Sequence, residues 1–173
     1  FKRFHERTFH KEGSIYARLT EGQTPKTLII GCSDSRVDPA ILTSASPGEI
    51  FVVRNVANLV PPYESASTGL HGVSAAIEFA VVNLRVENVV ILGHRQCGGI
   101  NALMAGISKQ NGFLGQWMNI AEEVKQKILR EHPGMDQEEL CRCCEKESIV
   151  NSMKNLRTFP FVQEAIQERN VLI

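Results

Sequence analysis

The sequence predicts an α/β fold: a central, mostly parallel β-sheet of about four strands, one edge strand missing or cut short, flanked by helices and preceded by an N-terminal helical arm. Three observations lead there. Three apolar, β-branched runs, residues 27–31 (TLIIG), 50–54 (IFVVR) and 89–93 (VVILG), are continuous rather than alternating, the pattern of strands buried on both faces of a parallel sheet. Between the second and third, GLHGVSAAIEFAVVNL sets Val73, Ala76, Ile77, Ala80, Val81 and Leu84 at helical spacing, so a helix crosses over from one parallel strand to the next. Each run is followed by a polar tail, CSDSR, RNVAN or GHRQCGG. Ligands of parallel sheets gather at the carboxyl ends of the strands, where all three tails lie.

The chain opens on residues 1–22, which read as a polar helical arm carrying Phe1, Phe4 and Phe9. Aromatics with so few local partners suit an arm laid across another subunit. After the third strand the pattern turns helical. An amphipathic stretch runs from Leu114 to Glu131, and HPG ends it; Asp136 with Glu139 resembles a capping box for the next helix. Pro160 separates that helix from a last short one, and the final NVLI reads as a strand still in progress, so a truncated C-terminus is expected.

A chain of 173 residues without repeats or long linkers is expected to form one domain over residues 1–173. Its 19 basic and 19 acidic residues balance, which points to neither nucleic acid nor an acidic membrane surface as partner. No stretch is long and apolar enough for a membrane span or a secretory signal. Five cysteines, an odd count in a chain large enough to build a core, argue for a reducing compartment. The cytoplasm is the expected location, or an organelle after loss of a transit peptide.

In that setting Cys beside His points to metal or chemistry. Cys32, His94 and Cys97 supply the thiolate and imidazole ligands that zinc prefers, three in number, as in catalytic sites that keep a fourth position open. His94 and Cys97 form an HxxC pair on one turn, and Cys32 comes from the neighbouring strand end. Gly98 and Gly99 then let the backbone pass close to the metal. Any one of these residues alone would be read as packing; three on one sheet edge, with Asp34 and Arg36 beside them, favour a metal site.

CSDSR, GEIFVVRNVANLVPP, SAAIEFAV and GHRQCGG, in that order, resemble the β-class carbonic anhydrases, and LCRCCEKESIVNSMKNLRTFPFV is similar to the later helices of their plant-like members. The resemblance implies a zinc enzyme, one Zn2+ per subunit, that hydrates carbon dioxide reversibly to bicarbonate and a proton by zinc-hydroxide attack. It implies a homodimer or higher homo-oligomer. Cys32, His94 and Cys97 would be the zinc ligands and Asp34 with Arg36 the catalytic dyad. Gln23, Phe51, Val56, Phe79 and Gly98 would make the substrate pocket, Gln23 reaching into the partner's site. Phe79 stands where many relatives have Tyr, a change expected to matter modestly.

Arg36 can hold the Asp34 carboxylate away from the metal. Released, Asp34 could become a fourth zinc ligand and close the site. Self-regulating relatives typically carry Trp where this chain has Ile29, so an open enzyme is expected here. Two rivals remain at this level. A phosphatase-like Cys/Arg loop needs more than the three residues between Cys32 and Arg36 to wrap a phosphate. A structural-zinc or redox-binding module, with Asp34 as fourth ligand, would lack hydratase activity. Cys141, Cys143 and Cys144 read as buried or incidental thiols, and nothing singles out His5, His10, His71 or His132.

Overall fold

The computed structural model describes residues 1–10, 13–64, 69 and 71–173. Its sheet has three parallel strands, β1 (Thr27–Cys32), β2 (Ile50–Asn55) and β3 (Asn88–Leu92), in the order β2-β1-β3. β1 is central because it is the most continuously apolar: Leu28 and Ile30 are fully buried and Ile29 nearly so. The register aligns Cys32 with Asn55 and Gly31 with Leu92, so all three polar tails leave the sheet at one edge, as the topology requires.

The expected fourth strand is present only as one parallel bridge between Leu172 and Asn88. Among the described residues the sheet therefore has three strands, not four. The Val89 amide donates to the Leu172 carbonyl at 2.8 Å and the Leu172 amide to Glu87 at 3.0 Å. NVLI thus pairs beside β3 through this one bridge.

Helices α1 (Lys2–Phe4) and α2 (Ile15–Leu19) form the N-terminal arm, joined through a π turn at His5–Phe9. Phe4 and Phe9 pack on Tyr16, but Phe1 stands in solvent. Helix α3 (Pro39–Thr43) follows β1, capped by the Asp38 carboxylate on the amides of Ala40 and Ile41. The crossover helix α4 (Gly72–Glu78) widens into a π turn at Phe79–Asn83. Ile77, Ala80 and Val81 face inward as expected, whereas the widened turn leaves Phe79 and Val82 half exposed.

Beyond β3 come α5 (Gly98–Met104), α6 (Phe113–Met118), α7 (Glu122–Glu131), α8 (Gln137–Leu156) and α9 (Pro160–Arg169). The single amphipathic stretch expected over 114–131 is broken by a 3-10 turn at Asn119–Ala121. Asn151 on α8 donates to the Ile120 carbonyl at 3.2 Å, replacing an intrahelical bond that the break removes. The capping box is half made: Asp136 accepts from Glu138 and Glu139 amides, while the Glu139 carboxylate pairs with Arg142.

Two apolar clusters result. One packs Leu28, Ile30 and Val89 of the sheet against Ile77 and Val81 before α9 closes it with Val162. The other joins Cys32 and Cys97 to Leu103, Met118, Ile128 and Cys144 of α5 through α8. Each Leu, Ile, Val or Met so buried contributes roughly 1.5–3 kcal/mol. On the other face of the sheet, Val52 and Val90 flank Ile29 in register and remain over a third exposed.

Candidate metal centre

The two strand tails meet because β1 and β3 are hydrogen-bonded neighbours. β1 delivers Cys32 directly, as its last residue. From Leu92 the chain runs through Gly93, where a Cβ would lie 2.6 Å from the Ile149 methyl, so a larger residue would make that side chain of α8 move. A turn with Gln96 at φ 53° then brings Cys97 to the N-cap of α5. The close approach that calls for glycine here is Gly99, whose Cβ would meet Val56 and Ala57 at 2.7 and 3.0 Å; a Cβ at Gly98 would meet nothing.

Cys32 Sγ and Cys97 Sγ lie 3.9 Å apart, both almost fully buried. The ligand atoms of Cys32, His94 and Cys97 all fall within 4.8 Å of one another. Zinc–sulfur bonds of about 2.3 Å in a tetrahedron put two thiolates about 3.8 Å apart, so the pair is already at coordination spacing. His94 Nδ1 sits 2.9 Å from the Arg95 carbonyl, which can only accept, so Nδ1 carries the proton. Nε2 is then a bare lone pair, buried and without a partner. A buried imidazole nitrogen left so, beside two thiols, has the tautomer and orientation of a metal ligand.

The charge at the thiols agrees. Hydrogen bonding from Cys97, aided by the Asp34 amide, draws the Cys32 thiol well below its ordinary range, while Cys97 is pushed up beside it. A divalent metal would ionise both. The residues present therefore fit zinc.

Asp34 is clamped by Arg36. Nε donates to Oδ1 at 2.9 Å, Nη2 to Oδ2 at 2.7 Å, and the Arg36 amide to Oδ1 at 3.0 Å. This fork holds the Asp34 carboxyl well below the usual carboxylate range. Asp34 Oδ2 lies 3.9 Å from His94 Nε2, adjacent to the ligand cluster but outside it. Arg36 is steadied in turn by the Gln96 carbonyl, 3.0 Å from Nη2.

Three supporting residues escaped the sequence reading. Arg54 ties the whole CSDSR loop, donating to the carbonyls of Cys32 and Asp34 at 2.9 and 2.6 Å and to Asp38 at 3.1 Å. Its place in the RNVAN tail was the available signal. Glu145 of α8 accepts the Cys97 amide at 2.9 Å, and Trp117 donates to the Val56 carbonyl at 2.8 Å. Both come from distant helices, and no local pattern marks them.

The residues expected to bind substrate divide. Val56 and Gly98 lie beside the metal ligands, and a cleft of about 780 Å3 opens at Val56 toward Trp117 and His71. Phe51 and Phe79 pair with each other, ring centroids 5.8 Å apart. Phe51 aligns with Leu28, four residues before the Cys32–Asn55 pair, about 13 Å down the sheet from the metal ligands. Gln23 is exposed and precedes the amino end of β1. One chain therefore does not bring Gln23, Phe51 and Phe79 to its own cysteines.

Fold and site together define an α/β metalloprotein whose three-ligand centre sits at the carboxyl edge of a parallel sheet. Residues 27–173 match the family model described as carbonic anhydrase, and the chain belongs to that family of zinc enzymes, in its β class. It is 37% identical to beta carbonic anhydrase 3 of Arabidopsis thaliana over 177 residues, spanning 100% of this chain and 68% of the relative. The β-carbonic anhydrase CcaA superposes with a TM-score of 0.87 at 31% identity, over 99% of this chain and 76% of its own. CafA of Aspergillus fumigatus gives 0.85 at 33% identity, over 99% and 78%.

Proposed function

We propose that the protein catalyses the reversible hydration of carbon dioxide to bicarbonate and a proton at the Cys32–His94–Cys97 centre. The observation that carries this is the unpartnered His94 Nε2 grouped with two thiols and flanked by an arginine-clamped carboxylate. Zinc, when bound, supplies an activated water as nucleophile. Asp34, kept ionised by Arg36, accepts a hydrogen bond and offers none, so it fixes which way that nucleophile points. Val56 gives the apolar substrate an apolar wall. Because Cys32 and Cys97 both bring negative charge, proton release is harder than at three neutral imidazoles, and activity rises toward alkaline pH.

Phe51, Phe79 and Gln23 enter the reading through a second copy of the chain, since their own metal ligands are too far along the sheet. Solved relatives from Sordaria macrospora, 31% identical, are described as tetrameric β-carbonic anhydrases, which supports a homo-oligomer. The Arg36 fork, with Ile29 buried on β1, the strand that leads into that loop, supports a site that stays open. A crystal structure at neutral pH with Asp34 on the metal would sink that point. Five free thiols support a reducing compartment, the cytoplasm or an organelle.

Hydration rate against pH, with zinc stoichiometry, tests the proposal on wild type and Asp34→Ala. The expected result is an alkaline-rising rate in wild type and loss of rate with zinc retained in the variant. Zinc-loaded wild type that is inactive at every pH would instead make the metal structural.

A further inference from the structure

A second cavity, of about 670 Å3, borders the His94–Cys97 loop but is lined by no metal ligand and by neither Asp34 nor Arg36. Its walls are Arg95 and Gln96 of that loop, Asn101 and Ala105 at α5, and Cys141, Arg142 and Glu145 of α8. The volume lies within the range of small-molecule sites, about 300–1,000 Å3. An inorganic ion would leave most of it empty.

Gln137 and Glu138 complete the lining, in which Arg95 and Arg142 face Glu138 and Glu145. A guanidinium has five N–H groups, and those of Arg95 and Arg142 are sparsely used: one nitrogen of Arg95 stands 3.8 Å from Glu138 and one of Arg142 3.3 Å from Glu139. The Glu145 carboxylate, also on α8, is turned to the Cys97 amide. Glu138 and Glu145 lower the pull on a bare anion, so selectivity falls on a ligand whose apolar body also contributes, against Ala105 and Cys141. We propose that this cavity binds a small organic carboxylate, its oxygens on Arg95 and Arg142, and that its occupancy is transmitted to the metal centre.

Two contacts carry the connection. Glu145 reaches from the cavity wall to the amide of the ligand Cys97. Gln96 also lines the cavity, is held at φ 53°, and its carbonyl receives the same Arg36 nitrogen that grips Asp34. A bound carboxylate that repels Glu145 or accepts from the Gln96 side-chain amide therefore alters the seating of Cys97 or the hold on Asp34. Neither effect requires the ligand to touch the metal.

Titration of benzoate into the zinc-loaded chain, followed through backbone amide resonances, tests this. Saturable shifts are expected in residues 95–105 and 137–145 and at the Cys97 amide, at least tenfold weaker in affinity in Arg142→Gln and absent in Ala105→Phe, which fills the cavity. Zinc content should match wild type in both variants. Shifts that survive both substitutions place benzoate on the metal and overturn the proposal, as does the absence of saturable shifts in wild type. Equal shifts with inorganic phosphate overturn the assigned ligand class, and shifts that spare Cys97 overturn the connection. Should Ala105→Phe not fold, the exposed Arg142→Gln decides alone.

Discussion

The carboxyl and amino ends of the same three strands differ in completeness. At the carboxyl end, Cys32, His94 and Cys97 are converged, the two cysteines buried, and the loops that carry them are braced by Arg54, Glu145 and the Arg36–Asp34 fork, all from one chain. Toward the amino end, Gln23 is exposed, Phe79 pairs with Phe51 while itself half exposed, and in mid-strand Val52 and Val90 on the far face remain over a third exposed. One chain brings the three metal-ligating side chains together, whereas Phe51 lies about 13 Å down the sheet from them. The ligands must be fixed to fractions of an ångström, which favours adjacent strands. An apolar wall tolerates looser placement, and exposed apolar area of this kind marks an interaction surface.

Removing a ligand should break the self-sufficient end most severely. Cys32→Ala is expected to lose both stoichiometric zinc and all detectable hydration, checked by metal analysis beside the rate assay. Arg36→Ala is milder, since the ligands remain: zinc stays bound and the rate falls about 100-fold, the scale of losing one preorganised charged partner at a reacting centre. If zinc leaves with Arg36, the fork is a structural brace rather than an aiming device.

The division between the ends is sharpened by mixing two damaged chains. Gln23→Ala spoils what a copy lends, and Asp34→Ala spoils what it keeps. Randomly paired, half the dimers are mixed and each has one intact site, so about a quarter of the wild-type rate should return. No recovery above the separate variants would mean that each chain uses its own Gln23.

Acid tests the carboxyl end again. An unfolded Asp titrates near about 4, and Arg36 holds the folded Asp34 lower. Its contribution to stability is therefore present above about pH 4 and is lost as pH falls through the folded value. Thermal melts of wild type and Asp34→Asn should differ by a constant amount from pH 6 to 9 and converge in acid. The smallest effect is at the amino end: Lys26 and Glu87, 2.5 Å apart and mostly exposed, form a surface pair. Lys26→Ala should cost less than about 1 kcal/mol in denaturant unfolding.

The sequence by itself determined the strands, the crossover helix and the ligand set. Those depend on local signals: continuous apolar runs, helical spacing, and polar residues placed directly after strands. It also marked Asp34 and Arg36, which sit two residues apart in one turn. The break at Asn119–Ala121, the π turn at Phe79–Asn83 and the bracing by Glu145 and Trp117 had no such mark. Each depends on a partner tens of residues away or on a helix adjusting to its neighbours. Tertiary structure alone decided that Nε2 of His94 is the nitrogen left bare, and that Phe51 and Phe79 sit some four residues down the sheet from the metal ligands. Which atom a ring presents is set by the carbonyl it meets, and which end of a strand a residue occupies matters only once the register aligns Cys32 with Asn55.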